Sequence, residues 1–182
     1  MSESLSSWAR STAEGYLSPL GRRWVHVAAV GALAERIAPA FGQQADLLVA
    51  AAFVHDIGYA PELALTGFHP LDGARFLREQ GHEGLALLVA HHSGARLEAE
   101  LRGIEGYCTE FPFSDGPLDH ALTFCDLTTG PDGAPVSLEH RVREIQQRYG
   151  PEAPTARAIA LSAPEFERAC ELTQSQLVAA GI

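Results

Sequence analysis

The sequence predicts an all-α protein that folds as a compact bundle of about six to eight helices. Alanine, leucine, arginine and glutamate dominate its periodic stretches, and these residues favour helices. Runs in which polar and β-branched residues alternate, as they do in strands, are nearly absent. With 182 residues, 46% of them hydrophobic, the chain can bury a core and is short enough for one domain. We therefore predict a single domain over residues 1–182, with a core at 20–150, an N-terminal helix or extension at 1–19 and C-terminal helices at 151–182.

Four helices are predicted in the first half of this core. The first runs from Gly21 to Ala38 and ends where a proline follows. The second runs from Gln43 to Ile57, and Gly58 is a suitable residue to terminate it. The third starts near Pro70, because proline suits the first turn of a helix, and ends near Gly81. The fourth, from His82 to His92, is strongly apolar.

The second half alternates helices with loops. Arg96–Arg102 is predicted to add one or two helical turns, and the aromatic stretch Gly103–Gly116 is long enough to be a lid or the wall of a pocket. A helix is predicted over Pro117–Thr129, and another runs from an N-cap at Ser137 to Tyr149. The last helix is expected to start with a capping box at Ser162 and to run towards Ala180.

Charge and composition exclude several classes of function. A net charge of −10 disfavours binding to nucleic acid polymers and to anionic membranes. The longest strongly apolar runs, Leu47–Val54 and Leu85–Ala90, are much shorter than the ~20 residues that span a bilayer. Met1–Leu17 has no signal-peptide pattern, so we expect a cytoplasmic protein. The three cysteines form no CxxC pair and predict neither a disulfide framework nor a thiolate zinc site.

Histidine and aspartate occupy helix positions where packing alone would place leucine. His26, His55 and Asp126 each lie on or beside an apolar helix face. A lone buried histidine is more often a hydrogen-bonded core residue than a ligand, but several buried ionisable groups need a cation or a dense hydrogen-bond network. His55 and Asp56 are about 100° apart around a helix, so both can reach one ion. Nitrogen and oxygen donors suit manganese, iron, cobalt or zinc.

The order of these residues resembles the HD-domain superfamily of metal-dependent phosphohydrolases. That superfamily has a histidine, an HD dipeptide and a distal aspartate, which His26, His55-Asp56 and Asp126 match. Members with two metals add two histidines between the dipeptide and the last aspartate. His69 in HPLDGARFL and His91 in VAHHSG match these additions in order and spacing. The resemblance covers most of the chain and implies the all-α HD-domain architecture.

The resemblance also implies a role for each of these residues. Asp56 would bridge two metals, and Asp56 and His55 would be the catalytic residues. The first metal would be held mainly by His26, His55 and Asp126, and the second by His69 and His91. His92 would be either an additional ligand or a contact to the substrate.

Other polar residues near the inferred ligands are weaker candidates. Asp72 and Glu83 could orient ligand histidines, but we expect both to lie on solvated helix surfaces. Three arginines flank the inferred ligands and are candidates for substrate binding through phosphate contacts. These arginines are Arg75, Arg78 and Arg96.

Two divalent ions, of Fe, Mn, Co, Zn or Mg, would give the site a surplus of positive charge and favour a small anionic substrate. The function implied is hydrolysis of a phosphate ester or anhydride, nucleotides included, with a metal-bridging hydroxide as the nucleophile. This chain differs from relatives at two places that bear on the choice of phosphate substrate. Tyr59 stands where many relatives carry a lysine, and the sequence Ser93-Gly94-Ala95-Arg96 differs from that of enzymes degrading cyclic dinucleotides.

Two other classes of function remain open. HD-fold di-iron oxygenases, which act on small anionic or polyol substrates, resemble the same six-ligand set. The stretch Ser18–Gly21 lacks a glutamate that some of these oxygenases place before the first histidine, which favours the hydrolase. A non-catalytic, metal-binding regulatory module is the third alternative, but degenerate modules commonly lose ligands and none of the six is lost here. The sequence does not indicate the oligomeric state.

Overall fold

The computed structural model of the protein describes residues 3–182. Within that range it is helical throughout, with one isolated β-bridge and no strand, which confirms the predicted all-α fold. Short 3-10 turns connect several of the α-helices. The α-helices are α1 (Leu5–Leu17), α2 (Arg22–Ile37), α3 (Ala45–Val54), α4 (His69–Glu79), α5 (Glu83–His91), α6 (Ala95–Leu101), α7 (Tyr107–Glu110), α8 (Pro117–Leu127), α9 (Leu138–Tyr149), α10 (Pro154–Leu161) and α11 (Ala163–Ala180).

The described chain has more helices than the sequence pattern indicates. α7 is a single turn inside the stretch predicted as an aromatic loop, and α10 occupies residues predicted only in outline. Ser162 separates α10 from α11 and is buried between them. The predicted capping box is wrong, because the Ser162 side chain makes no capping hydrogen bond to α11.

α3 is the central helix of the fold. Its residues from Leu48 to Val54 are all buried, as expected for a helix that is apolar on every side. It packs against α1, α2, α5 and α8, while α4 pairs with α5, α9 with α10 and α11 with α8. Side chains that leave the C-terminal end of α3 therefore enter a space enclosed by several other helices.

α3 ends at Val54, earlier than predicted, and the chain then makes a tight turn against α4. Asp56 has left helical geometry, and a 3-10 turn follows over Ile57–Tyr59. Gly58 does not act as the predicted helix terminator. A Cβ atom at Gly58 would lie 2.0 Å from the carbonyl oxygen of His69, so glycine is needed for backbone contact between the turn and α4. This contact holds His69 close to Asp56.

The segment Arg22–Tyr59 is long and apolar enough, by length and composition alone, to cross a membrane, with a mean hydropathy of 1.4 in its most apolar window. It is not one straight helix, because α2 ends at Ile37 and the backbone kinks at Gly42, where φ is 54°. In the structure 56% of the window is buried. Core helices of soluble proteins satisfy the same composition test, so the test is a weak indication of a membrane span.

Candidate metal centre

Three histidines converge on the carboxylate of Asp56, just beyond the end of α3. The distance from His55 Nε2 to Asp56 Oδ2 is 3.5 Å. On the other carboxylate oxygen, Oδ1, His69 Nε2 approaches to 3.3 Å and His92 Nε2 to 3.8 Å. All three rings and the carboxylate are buried or nearly so. Asp56 is thus the residue on which α3, α4 and the end of α5 meet.

Asp126, in the last turn of α8, forms the other side of the same cluster. Its Oδ1 atom lies 3.0 Å from His26 Nε2 and 3.8 Å from His55 Nε2. Its Oδ2 atom accepts a hydrogen bond from Ser93 Oγ. His55 Nε2 therefore lies within 4 Å of both carboxylates.

The histidines are oriented by hydrogen bonds to backbone carbonyl oxygens. A carbonyl oxygen only accepts, so the Nδ1 atom that contacts it carries the proton, and the Nε2 atom of the neutral ring is left with a lone pair. Histidines that bind metals usually have this outer partner. The pairs are His26 Nδ1 with Gly130 O at 3.1 Å, His55 Nδ1 with Ala52 O at 2.8 Å and His92 Nδ1 with Val89 O at 2.6 Å.

The lone pair of His55 Nε2 is the clearest sign that the cluster fits a cation. This nitrogen is buried and has no hydrogen-bond partner among the described residues. It faces two carboxylates that carry no proton to donate, so a proton-free nitrogen and two anions would share one buried space. A divalent cation satisfies all three groups, since imidazole nitrogen and carboxylate oxygen are both suitable ligands.

The donor atoms form two overlapping groups. His26, His55 and Asp56 form one, and Asp56, His69 and His92 form the other; within each group, one ligand atom per residue lies within 4.8 Å of the others. Asp56 belongs to both groups. The donor set suits divalent metal ions and contains no thiolate, unlike most structural zinc sites.

The protonation states of the aspartates and of His55 also suit a bound cation, which needs ionised carboxylates and neutral imidazole. Burial alone would raise the pKa of Asp56, but the charge of Arg23 and smaller effects of nearby histidines hold it well below its ordinary value. Burial alone would also raise the pKa of Asp126, but its contacts with His26, His55 and Arg141 together hold it well below its ordinary value. Burial lowers the pKa of His55 from 6.5 to about 4. At neutral pH the carboxylates are therefore charged and His55 is neutral.

The structure brings His92, and not His91, into the donor groups around Asp56. His91 belongs to neither donor group, and its Nε2 atom lies 2.6 Å from the carbonyl oxygen of Phe111. His92 takes the place predicted for His91. α5 ends at His91, so His92 lies just outside the helix with its Nδ1 atom bonded to Val89 O, and a sharp bend follows at Ser93 (φ 48°) and Gly94 (φ 81°).

The aromatic stretch Gly103–Gly116 does not cover this cluster. Tyr107 and Phe111 are buried, and the Tyr107 hydroxyl donates to the carbonyl oxygen of Ala90. These two side chains pack beside His91, whereas most of the stretch is exposed. Phe113 and Asp115 line a separate pocket together with His91, so the stretch forms a pocket wall there and not at Asp56.

The predicted substrate arginines also lie away from the cluster. Each is partly exposed and paired with a surface carboxylate, so none is free to contact a bound anion at Asp56. The pairs are Arg75 with Glu110 at 2.7 Å, Arg78 with Glu83 at 2.6 Å and Arg96 with Glu165 at 3.4 Å.

The two residues considered as orienting groups have different roles. Glu83 lies at the surface in its ion pair with Arg78, as expected for a solvated residue. Asp72 is buried, contrary to the prediction, and accepts hydrogen bonds from the backbone N–H groups of Thr66 and Gly67. It holds the loop that leads into α4 and therefore supports the position of His69 indirectly.

A cleft opens beside the cluster, with an empty volume of about 520 Å³ that includes space open to solvent. Asp56, His69, His92 and Asp126 line its base. Its other walls come from Tyr59, Glu98, one residue of α2 and residues of α9 and α10, and they include three arginines that the sequence analysis missed. These are Arg23, Arg141 and Arg148.

Arg23 is the missed residue that a sequence signal could have identified. It precedes His26 by three residues, so both share one face of α2. Its Nη1 atom donates to Asp56 Oδ2 at 2.5 Å, and its guanidinium lies 3.9 Å above the ring of Tyr59. Tyr59 in turn stacks on His69 at 3.9 Å between ring centres. Arg23 thus links α2 to both sides of the Asp56 carboxylate.

Chelation of metal is expected to lower the melting temperature of the protein. An ion that binds only the folded chain stabilises it by about 2.7 kcal/mol when its free concentration is 100 times the dissociation constant. Calorimetry before and after treatment with EDTA, followed by re-addition of Mn²⁺ or Zn²⁺, measures the effect. An unchanged melting curve after verified metal removal would show that the buried His and Asp side chains need no cation.

Comparison with known proteins gives one match. A family model described as HD domain matches residues 23–158, which is well over half of the chain and includes every residue of both donor groups. No curated protein and no solved structure is significantly similar to the chain.

Proposed function

Because the chain belongs to the HD domain family, we propose that it is a metal-dependent phosphohydrolase that cleaves a small phosphate ester or anhydride. The family consists largely of metal-dependent hydrolases. The observation that carries the proposal is the convergence of histidine Nε2 atoms on Asp56 and Asp126, with His55 Nε2 buried and without a hydrogen-bond partner in the described chain.

We further propose that the site takes two divalent ions, of Fe, Mn, Co, Zn or Mg. The two donor groups share Asp56, and its two oxygens face different histidines, Oδ2 towards His55 and Oδ1 towards His69 and His92. When bound, such ions supply an activated water and positive charge opposite the phosphoryl oxygens.

The residues of the chain hold this site in position and assist the reaction around it. The backbone carbonyl partners fix the rings of His26, His55 and His92, and Ser93 fixes one oxygen of Asp126. Ser93 is not itself an activated nucleophile, because its hydroxyl donates to a carboxylate instead of a histidine base. The nucleophile is therefore water.

The overall reaction is a substitution at phosphorus. The oxygen of water forms a new bond to phosphorus, the bond between phosphorus and the leaving oxygen breaks, and a proton from the water goes to that leaving oxygen. Arginines at the cleft would neutralise charge on the phosphoryl group while this occurs. The net charge of −10 disfavours a nucleic acid polymer, and a cleft of about 520 Å³, part of it open to solvent, suits a small substrate.

The decisive test asks whether turnover needs dioxygen and whether the oxygen atom that enters the product comes from water. Metal-loaded protein is incubated with nucleotides and simple aryl phosphates, in air and under strict anaerobiosis, in water enriched in ¹⁸O. We expect equal rates in both atmospheres and one ¹⁸O atom from water in the released phosphate. Turnover that requires dioxygen and reduced iron, with label from ¹⁸O₂ in the product, would overturn the hydrolase and favour the di-iron oxygenase.

A further inference from the structure

Arg141, on α9, is a buried cation that the cluster itself does not use. Its side chain is about 6% exposed, and its Nε atom has no hydrogen-bond partner in the described chain. The Nη2 atom lies 3.9 Å from Asp126 Oδ1, which is longer than a hydrogen bond. A buried guanidinium with unused donors is costly unless a further acceptor satisfies it. Arg141 also lines the cleft beside Asp126.

The neighbouring residues on α9 hold Arg141 in place. Glu144 accepts from Arg141 Nη1 at 2.5 Å and also pairs with Arg148, so one carboxylate joins two guanidinium groups. Arg141 and Arg148 are seven residues apart and therefore lie on one face of the helix, and both line the cleft. Two positive charges on this face of α9 share the one negative charge of Glu144, and Arg141 Nε is left without a hydrogen-bond partner in the described chain.

The remainder of the cleft wall is suited to a small organic group. Ile145 lies on α9 between the two arginines, and Tyr149, Ile159 and Leu127 also line the cleft. These side chains offer apolar and aromatic surface, whereas Arg141 is beside the carboxylate of Asp126. The cleft therefore offers guanidinium groups and apolar surface side by side.

We propose that Arg141, with Arg148 beside it, binds the phosphoryl group of the substrate, and that the substrate is a phosphate monoester whose small, partly apolar alcohol lies against Ile145, Tyr149 and Ile159. This inference rests on the proposed function. A monoester has three non-bridging oxygens, enough to face the donor groups around Asp56 and a guanidinium together. A diester has two such oxygens and one negative charge, so it satisfies this arrangement less well.

The test measures binding of inorganic phosphate to the metal-loaded protein by titration calorimetry. Arg141→Gln is expected to weaken binding by about 10- to 100-fold, because a charged hydrogen bond inside a cleft is lost. Arg148→Gln should weaken it by a smaller factor, since that side chain is more exposed. Arg141→Lys should fall between wild type and Arg141→Gln, because lysine keeps the charge but not the planar fork.

Arg143→Gln is the matched control. Arg143 lies on the same helix, is about 63% exposed and pairs with Glu139 at the surface. We expect its phosphate affinity within about twofold of wild type. The metal content of all variants should be unchanged, and with aryl phosphates Arg141→Gln should raise KM more for the monoester than for the corresponding diester.

The outcomes distinguish a failure of the Arg141 assignment from a failure of the proposed hydrolase reaction. If wild type cleaves phosphate esters while Arg141→Gln keeps wild-type phosphate affinity, the assignment of Arg141 is overturned and the hydrolase stands. If no ester is cleaved but phosphate binding falls in Arg141→Gln and not in Arg143→Gln, the anion site is supported and the proposed reaction fails. Should Arg141→Gln not fold, unchanged affinity in both Arg141→Lys and Arg148→Gln overturns the assignment. Absence of phosphate binding by wild type also overturns it.

Discussion

Replacing Asp56 by asparagine is expected to remove metal from both donor groups at once. The carboxylate of Asp56 is the one residue common to the two groups, and its two oxygens face His55 on one side and His69 and His92 on the other. Changes to groups that merely orient metal ligands typically cost 10- to 100-fold in metal affinity or activity. Loss of a shared ligand should therefore reduce turnover by more than about 100-fold.

Elemental analysis of the folded variant measures this effect directly. Asp132→Asn is a suitable control, because Asp132 is an exposed aspartate near Gly130 and its contact with the backbone of Ala134 is one that asparagine can also make. The control should keep the metal content and activity of wild type. Stoichiometric metal in Asp56→Asn would show that Asp56 is not a bridge between the two donor groups.

Replacing His92 by alanine is expected to deplete the metal held with His69, whereas replacing its neighbour His91 should not. His92 Nε2 lies 3.3 Å from His69 Nε2 and 3.8 Å from Asp56 Oδ1, within one donor group. His91 instead contacts the carbonyl oxygen of Phe111. The predicted effect of His91→Ala is a loss of about 1–3 kcal/mol in the free energy of unfolding, because a buried hydrogen bond is removed.

The two variants form a matched pair, since they remove the same side chain from adjacent positions. Metal content, turnover and urea denaturation should be measured for both. We expect His92→Ala to lose metal and activity by about 10-fold or more. The opposite result, metal loss in His91→Ala and wild-type metal content in His92→Ala, would restore the assignment made from the sequence motif and contradict the geometry.

Most helices could be predicted because their causes are local. The apolar residues of α3, the proline at the start of α4 and the N-cap at Ser137 each act within a few residues of the chain. The residue types of the metal centre could also be predicted from the sequence, because histidine and aspartate on apolar helix faces need partners. α10 was predicted only in outline, among the C-terminal helices at 151–182, although Pro154 occupies its first turn.

The choice between His91 and His92 shows the limit of this reasoning. Both are in one dipeptide, and helix periodicity places them on different faces without saying which face meets Asp56. The packing of α5 against α3, α4 and α8 decides it, and that packing depends on the whole fold. The need for glycine at position 58 also depends on the tertiary structure, because it comes from backbone contact with α4, more than ten residues later in the chain.

The sequence by itself determined that the protein is helical and that it carries an ordered set of metal-binding residue types, because secondary structure and ligand chemistry depend on individual residues and their spacing. Tertiary structure alone decided which side chains meet. It placed Arg23 on Asp56 and Arg141 beside Asp126, and it left Arg75 paired at the surface. The physical reason is that proximity between distant segments results from the packing of whole helices, which no local pattern records.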